Sequence, residues 1–336
     1  MKREFFIFAA AAGLAIAASS AQAQSKIVRV EAGNPGSLTT SLMTVLSKIY
    51  KREFGYSLQI NDGQTLTRSA LKLGRGKVDM MPFPPIIYHF MSKGAAMYKK
   101  KLHKQAIAAS KNVRMLMGHK ANLYHAVAFD GAGVKTWKDI KGKRVFTGPP
   151  SGAAAVQSER LIKLMVGYTA NKDYKAIRLP WGSGLQAMMD GKLDVYIRPA
   201  GIGDANIEQL GSKKGFYLLN AGPIKNGWDR KYTKGVGRVV GTIPKGTYKG
   251  QLNKEDVTIG GALFTVGVRA GLSDEMAYNM TKGLWENLAE IHKSAKTLEA
   301  ISFKTPFIGV NAPLHPGAVR YYKEKGVAIP ARLMPK

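Results

Sequence analysis

The chain has 336 residues, 45% of them apolar, with no cysteine and a formal net charge of +29. The missing cysteine excludes disulfides, thiolate metal sites and thiol nucleophiles together, and the apolar fraction excludes a disordered chain. The basic residues are scattered, as at Lys99-Lys100-Lys101 and Lys213-Lys214, so they read as solvated faces whose positive field speeds the arrival of an anion; no nucleic-acid partner is expected.

In chain order, Lys2 and Arg3, an apolar stretch over 5–18 and Ala21-Gln22-Ala23 form a secretory signal with an A-x-A site. Cleavage after Ala23 is expected, and with it a periplasmic protein. Roughly 310 residues then remain, enough for two domains. From Val28 onward the chain repeats itself. Arg29, Val30, Gly33 and Pro35 return 115 positions later as Arg144, Val145, Gly148 and Pro150, and Gly76-Lys77-Val78-Asp79 returns as Gly191-Lys192-Leu193-Asp194. Pro84 and Pro199 keep the same offset. A period this long marks two related lobes rather than a solenoid.

Each copy has one grammar. A β-branched strand at 26–32 leads through a Gly-Asn-Pro-Gly turn into a helix at 37–53, capped by Ser37 or Thr39. A strand at 57–60, a helix at 65–75 and a strand at 78–81 follow; the second copy runs 144–147, 153–166, 176–179, 184–190 and 193–197. Strand-helix-strand alternation implies an α/β protein with mostly parallel sheets flanked by helices. The expected organisation is a signal peptide at 1–23, lobe I at 24–127 and 258–336, and lobe II at 128–257. Hinge strands are expected near 125–129 and 263–269.

In such sheets a ligand binds beyond the carboxyl ends of the strands. The candidate site therefore gathers Asn34, Gly36 and Ser37, then Gly63, Gln64 and Thr65, then Pro82 and Phe83 from lobe I. Lobe II supplies Ser151, Gly152 and Ala153, then Trp181, then Arg198 and Pro199. Several of these turns feed helix N-termini, whose free N–H groups favour an anion. Arg198 matches a carboxylate in bidentate geometry, with a salt bridge as its bland alternative. Ser37, Thr65 and Ser151 carry hydroxyls that cap helices or reach a ligand. Phe83 and Trp181 are candidate apolar walls. The offset sets Arg198 opposite Phe83, so one lobe offers charge and the other an aromatic ring.

No enzyme is expected: there is no G-x-S-x-G, Walker loop, zinc motif or cysteine nucleophile. Gly182-Ser183-Gly184 with Ala187 fits G-x-G-x-x-A in its loosest form, but no acid follows the next strand. The six histidines show no metal spacing. Neither metal nor cofactor is assigned.

The motif order resembles the solute-binding subunits of tripartite ATP-independent periplasmic (TRAP) transporters, in their TAXI branch. The resemblance rests on Ile140-Lys141-Gly142-Lys143-Arg144-Val145 leading into Gly148-Pro149-Pro150-Ser151-Gly152, on Gly191-Lys192-Leu193-Asp194, and on His315-Pro316-Gly317-Ala318 with Tyr321-Tyr322 and Gly326. It implies a two-lobed, type II periplasmic-binding-protein-like fold that closes on a small organic anion, carboxylate or amino acid, and docks as a monomer on a membrane permease. An ABC transporter's binding protein shares that fold and is the alternative. This chain departs from the family in a poorer glycine loop at 33–37, in Ala153 and Ala154 where a Thr is usual, and in Arg198 where small or hydroxyl residues are common. The lost hydroxyls weaken a direct transfer of the amino-acid ligands of some relatives, and Arg198 offers a replacement.

Overall fold

The first repeat unit is built from β1 (Ile27–Glu31), α1 (Leu38–Phe54), β2 (Ser57–Asn61), α2 (Leu66–Gly74) and β3 (Met80–Phe83) in a computed structural model that describes residues 26–224 and 227–335. The expected signal segment at 1–23 lies outside the described residues. Ser37 caps α1, its hydroxyl accepting the Thr40 N–H at 3.5 Å, and Gly55 ends it with a left-handed φ of 71°. Leu38, Leu42, Leu46 and Ile49 bury one face of α1 against the sheet. Two helices, α3 (Pro85–Ser92) and α4 (His103–Ser110), then lead into the long strand β4 (Val113–Phe129).

The second unit repeats the first: β5 (Arg144–Phe146), α5 (Ala153–Val166), β6 (Lys175–Ile177), α6 (Trp181–Met189) and β7 (Val195–Ala200). Beyond it come α7 (Ala205–Lys213), β8 (Phe216–Leu218), α8 (Trp228–Thr233), β9 (Arg238–Ile243) and the second long strand, β10 (Val257–Arg269). Helices α9 (Asp274–Glu286), α10 (Leu288–Ser294) and α11 (Pro316–Glu324) close the chain.

The strands form one mixed sheet in the order β2-β1-β3-β10-β4-β7-β5-β6, with β8 on β4 and β9 on β10. Read from either end, the order is that of a duplicated unit. Within each unit the pairs are parallel, β1 with β2 and β3, β5 with β6 and β7. The two long strands join the units antiparallel to β3, to β7 and to each other. This confirms the α/β class, with the parallel pairing confined to the two duplicated halves.

Two apolar cores sit under this sheet. Met117 on β4 and Val266 on β10 belong to the first, whereas Tyr124 on β4 and Ile259 on β10 belong to the second. The cores therefore part in mid-strand, where the β4–β10 register shifts between Ala262 and Leu263. A register shift of this kind bends the pair it interrupts.

Candidate ligand-binding site

A cavity of about 90 Å³ lies between the two cores. Its lobe I wall comes from the turns after β1, β2 and β3, with Asn34, Ser37, Leu38, Thr65, Thr67, Pro84 and Ile87. The lobe II wall comes from the turns after β5 and β6 and from the end of β7, with Pro149, Gly152, Ala153, Gln157, Trp181, Arg198 and Pro199. The crossing strands supply the floor through Asn122, Tyr124, Ala262 and Phe264. These are the carboxyl ends of the parallel strands, where the N-termini of α1, α5 and α6 also arrive.

Two glycines let helices come this close. A Cβ on Gly33 would lie 2.7 Å from Thr39 Oγ1, and one on Gly148 would lie 2.9 Å from the Ala155 nitrogen. Both sit where strand meets helix, 115 positions apart. The repeat thus preserves the tight turn that brings each helix N-terminus to the cavity.

Arg198 stands on β7 opposite His125 of β4 and is only 2% exposed. Its Nη2 reaches Asp204 Oδ2 at 3.4 Å, a long contact, while Nε and Nη1 have no hydrogen-bond partner. Its guanidinium carbon lies 5.6 Å from the Trp181 ring centroid, a cation–π distance. Burial alone would lower the Arg198 pKa, but the Asp204 charge together with the neighbouring Tyr196 and Tyr248 side chains outweighs it and the group stays cationic. Asp204 itself caps α7, accepting the Asn206 N–H at 3.0 Å and the Asn206 Nδ2–H at 3.3 Å. Beneath them, burial pushes His125 down to about 4, so it is neutral at pH 7. Its Nδ1 faces the Leu123 carbonyl at 2.9 Å, which leaves Nε2 to accept from the Tyr248 hydroxyl at 2.7 Å.

Of the residues expected at the site, Asn34, Ser37, Thr65, Gly152, Ala153, Trp181, Arg198 and Pro199 line the cavity. Ser37 Oγ caps its own helix and meets Thr39 Oγ1 at 2.9 Å. The Thr65 side chain makes no capping bond. The other expected residues do not line it. Gly63 is exposed at a turn, and Gln64 turns back to Asn61 Oδ1 at 3.2 Å and the Asp62 carbonyl at 2.9 Å. Pro82 pairs with Val266 inside the sheet. Phe83 is wholly buried in the first core, its ring against Gly267, so it forms no wall; Phe264 of β10 takes that place. Gly36 and Ser151 stand beside the cavity, where the lobes touch. Ser151 holds a left-handed φ of 58°, and its carbonyl accepts from Thr67 Oγ1 at 3.0 Å. Asn206 donates to the Pro35 carbonyl at 3.1 Å, and Asn34 donates to Asn206 Oδ1 at 3.0 Å. These bonds join the two walls across the rim of the cavity.

Sequence reasoning missed Asn122, Tyr124, Gln157 and Phe264. Gln157 alone carried a readable signal, one helical turn beyond Ala153 on the same face of α5. Among the described residues no group of histidines and carboxylates could hold a metal ion, and no helix is long and apolar enough to cross a membrane.

A family model described as the NMT1-like family matches residues 92–326. Among solved structures, the chain is similar to a binding protein component of an ABC phosphonate transporter from Pseudomonas aeruginosa. That match has 10% identity and a TM-score of 0.50, over 82% of this chain and 79% of the other. It also matches a TRAP periplasmic solute-binding protein from Ralstonia eutropha H16 with bound (S)-2-acetolactate, at 10% identity and a TM-score of 0.48, over 91% and 87% of the two chains. An alkanesulfonate-binding protein from Xanthomonas axonopodis pv. citri, bound to MOPS, matches at 12% identity and a TM-score of 0.48, over 93% and 95%. At these identities the likeness is one of fold, and the first match carries it.

Proposed function

Because the chain belongs to the NMT1-like family, we propose that it is an extracytoplasmic solute-binding protein that captures a small organic anion between its lobes and delivers it to a membrane permease. One observation carries this reading: the buried Arg198 guanidinium faces a cavity with two donors unpartnered. A buried donor left without an acceptor costs about 1–3 kcal/mol. A carboxylate accepts from one of these donors and places its charge at the N-terminus of α5, whose N-cap, Gly152, has no side chain to cap it.

Closure is the second part. A ligand touching both walls favours the closed form over an open one, a population shift about the stretches of β4 and β10 where the cores part. Those stretches, 118–123 and 260–265, overlap the expected hinge on β10 and lie a few residues earlier than it on β4.

For the transporter, the order of motifs over 140–152, 191–194 and 315–326 favours the TAXI branch of TRAP systems. Likeness in fold to an ABC transporter's binding component favours the alternative, a binding protein for a small anionic or aromatic solute. A neighbouring gene for a large multi-span permease without an ATPase decides for the first; an adjacent ATPase decides for the second. The signal at 1–23 supports a periplasmic location.

The test is a thermal-shift panel of small carboxylates on the mature protein, followed by titration. At least one acid should raise the melting temperature. Arg198→Lys, which keeps a cation for Asp204 but loses the guanidinium fork, should weaken that acid by about 1.5–3 kcal/mol. Unchanged affinity in the variant removes Arg198 from the site.

A further inference from the structure

We infer that the solute is a monocarboxylate with no ammonium group that carries a second oxygen, and that Gln157 is the residue that reads this oxygen. The inference rests on the solute-binding reading above.

The first argument is charge. Arg198 is the one ionisable side chain with a full charge on the cavity wall, and no Asp or Glu lines it among the described residues. Asp204 lies behind Arg198, fully buried, with its Oδ1 taken by Asn206. An amino acid would bring its ammonium into a site with no anion to receive it, beside helix N-termini that already repel a cation. A dicarboxylate would bring a second charge with no second cation on the wall, since Arg238 stands behind Gln157.

The second argument is Gln157, only 4% exposed. Its Oε1 accepts from Arg238 Nε at 3.0 Å and Nη2 at 2.7 Å. A guanidinium only donates, so the amide cannot be reversed. Nε2 is thereby left as a fixed neutral donor, and it is unpartnered. Arg238 is held in turn against the Tyr232 ring, 5.0 Å from its centroid. A preset N–H donor selects an oxygen lone pair, whether oxo or hydroxyl, and rejects an ammonium, which has none to offer. Asn122, with its Oδ1 also unpartnered, can accept from a hydroxyl. At about 10–15 Å³ per water, the cavity of about 90 Å³ has room for several water-sized groups, the scale of a small oxo or hydroxy acid.

The test is calorimetric titration of the mature protein with four acids of one skeleton: pentanoate, 2-oxopentanoate, 2-hydroxypentanoate and 2-aminopentanoate. The oxo or hydroxy acid should bind about tenfold or more tightly than pentanoate, and the amino acid weakest, as expected for one made or unmade buried hydrogen bond. Gln157→Leu should bring the oxo and hydroxy acids down to the affinity that pentanoate has for the same variant, and circular dichroism with the melting temperature checks that the variant folds. Arg238→Met should have the same effect in smaller degree, because it frees the amide to turn. If 2-aminopentanoate binds as tightly as the oxo acid, or if Gln157→Leu weakens all four acids alike, the inference is overturned and the solute-binding reading stands. If none of the four binds and none stabilises the protein, both fall.

Discussion

Asp79 shows at the scale of one residue why the repeat survives in the sequence. Its carboxylate accepts from the Arg29 N–H at 2.9 Å, from Arg29 Nε at 2.8 Å and from Arg29 Nη2 at 2.8 Å, and Arg29 also donates to the Gly76 carbonyl. In the second unit Arg144 makes the same bonds to Asp194 and to the Gly191 carbonyl. Each pair ties the turn after a helix to the first strand of its unit. The copies differ in one partner, since Arg269 of β10 also binds Asp79. Burial alone would raise the Asp79 pKa, but the bonds from Arg29 and Arg269 outweigh it and hold the carboxyl at about 2. A carboxyl depressed on folding stabilises the protein above its unfolded pKa, and that contribution fades as pH falls from about 4 towards 2. Asp79→Asn should therefore cost about 2 kcal/mol at pH 7. Urea midpoints of variant and wild type should converge between pH 4 and pH 2. Asp194→Asn should cost less, because one guanidinium faces it and its side chain is 20% exposed. Equal losses at both positions would show that Arg269 contributes nothing.

At the scale of an element, α6 separates two meanings of glycine that one motif confuses. Gly184 lies on the buried face, where a Cβ would run into the Phe146 ring, itself stacked on Tyr196 at 4.9 Å. Gly182 is exposed, with nothing near its Cβ position. The loose G-x-G-x-x-A match is thus a close approach of helix to strand. Gly182→Ala should stabilise the protein by up to about 1 kcal/mol through helix propensity. Gly184→Ala should destabilise it by about 1–3 kcal/mol through overpacking, despite the same gain in propensity. Thermal unfolding of the two variants reads both signs; a stabilised Gly184→Ala would mean that α6 slides freely over β5. The comparison also marks what the sequence can disclose. Strands, helices and the turns beside them are legible because period, caps and the 115-residue offset are local signals. Gln157 is not, since its role depends on Arg238, 81 residues away. Phe83 is misread for a related reason. It and Arg198 hold equivalent, fully buried positions, where a phenyl ring is satisfied by the core alone while a guanidinium must find Asp204 and the cavity.

At the scale of the whole molecule, the question is what holds the lobes together. Among the described residues, the side-chain hydrogen bonds across the cavity rim run from Asn34 to Asn206, from Asn206 to the Pro35 carbonyl and from Thr67 to the Ser151 carbonyl, with the Arg160 guanidinium 5.7 Å from the Phe90 ring centroid beside them. Each hydrogen bond contributes about 0.5–1.5 kcal/mol net. A closed state held by terms of this size lies within reach of the free energy that a ligand supplies by touching both walls. Asn206 makes two of these bonds and does not itself line the cavity, so its removal tests closure without deleting a wall residue. Asn206→Ala should open the unliganded protein by about 1–3 kcal/mol. The apparent affinity should fall by the matching factor, since only the competent fraction binds. Small-angle scattering should show a larger radius of gyration for the unliganded variant, returning to the wild-type value at saturating ligand. Affinity lost without any change in scattering would mean that Asn206 acts through Asp204 and Arg198 rather than through closure. Identical profiles and affinities in variant and wild type would mean that these bonds do not set the balance between open and closed forms.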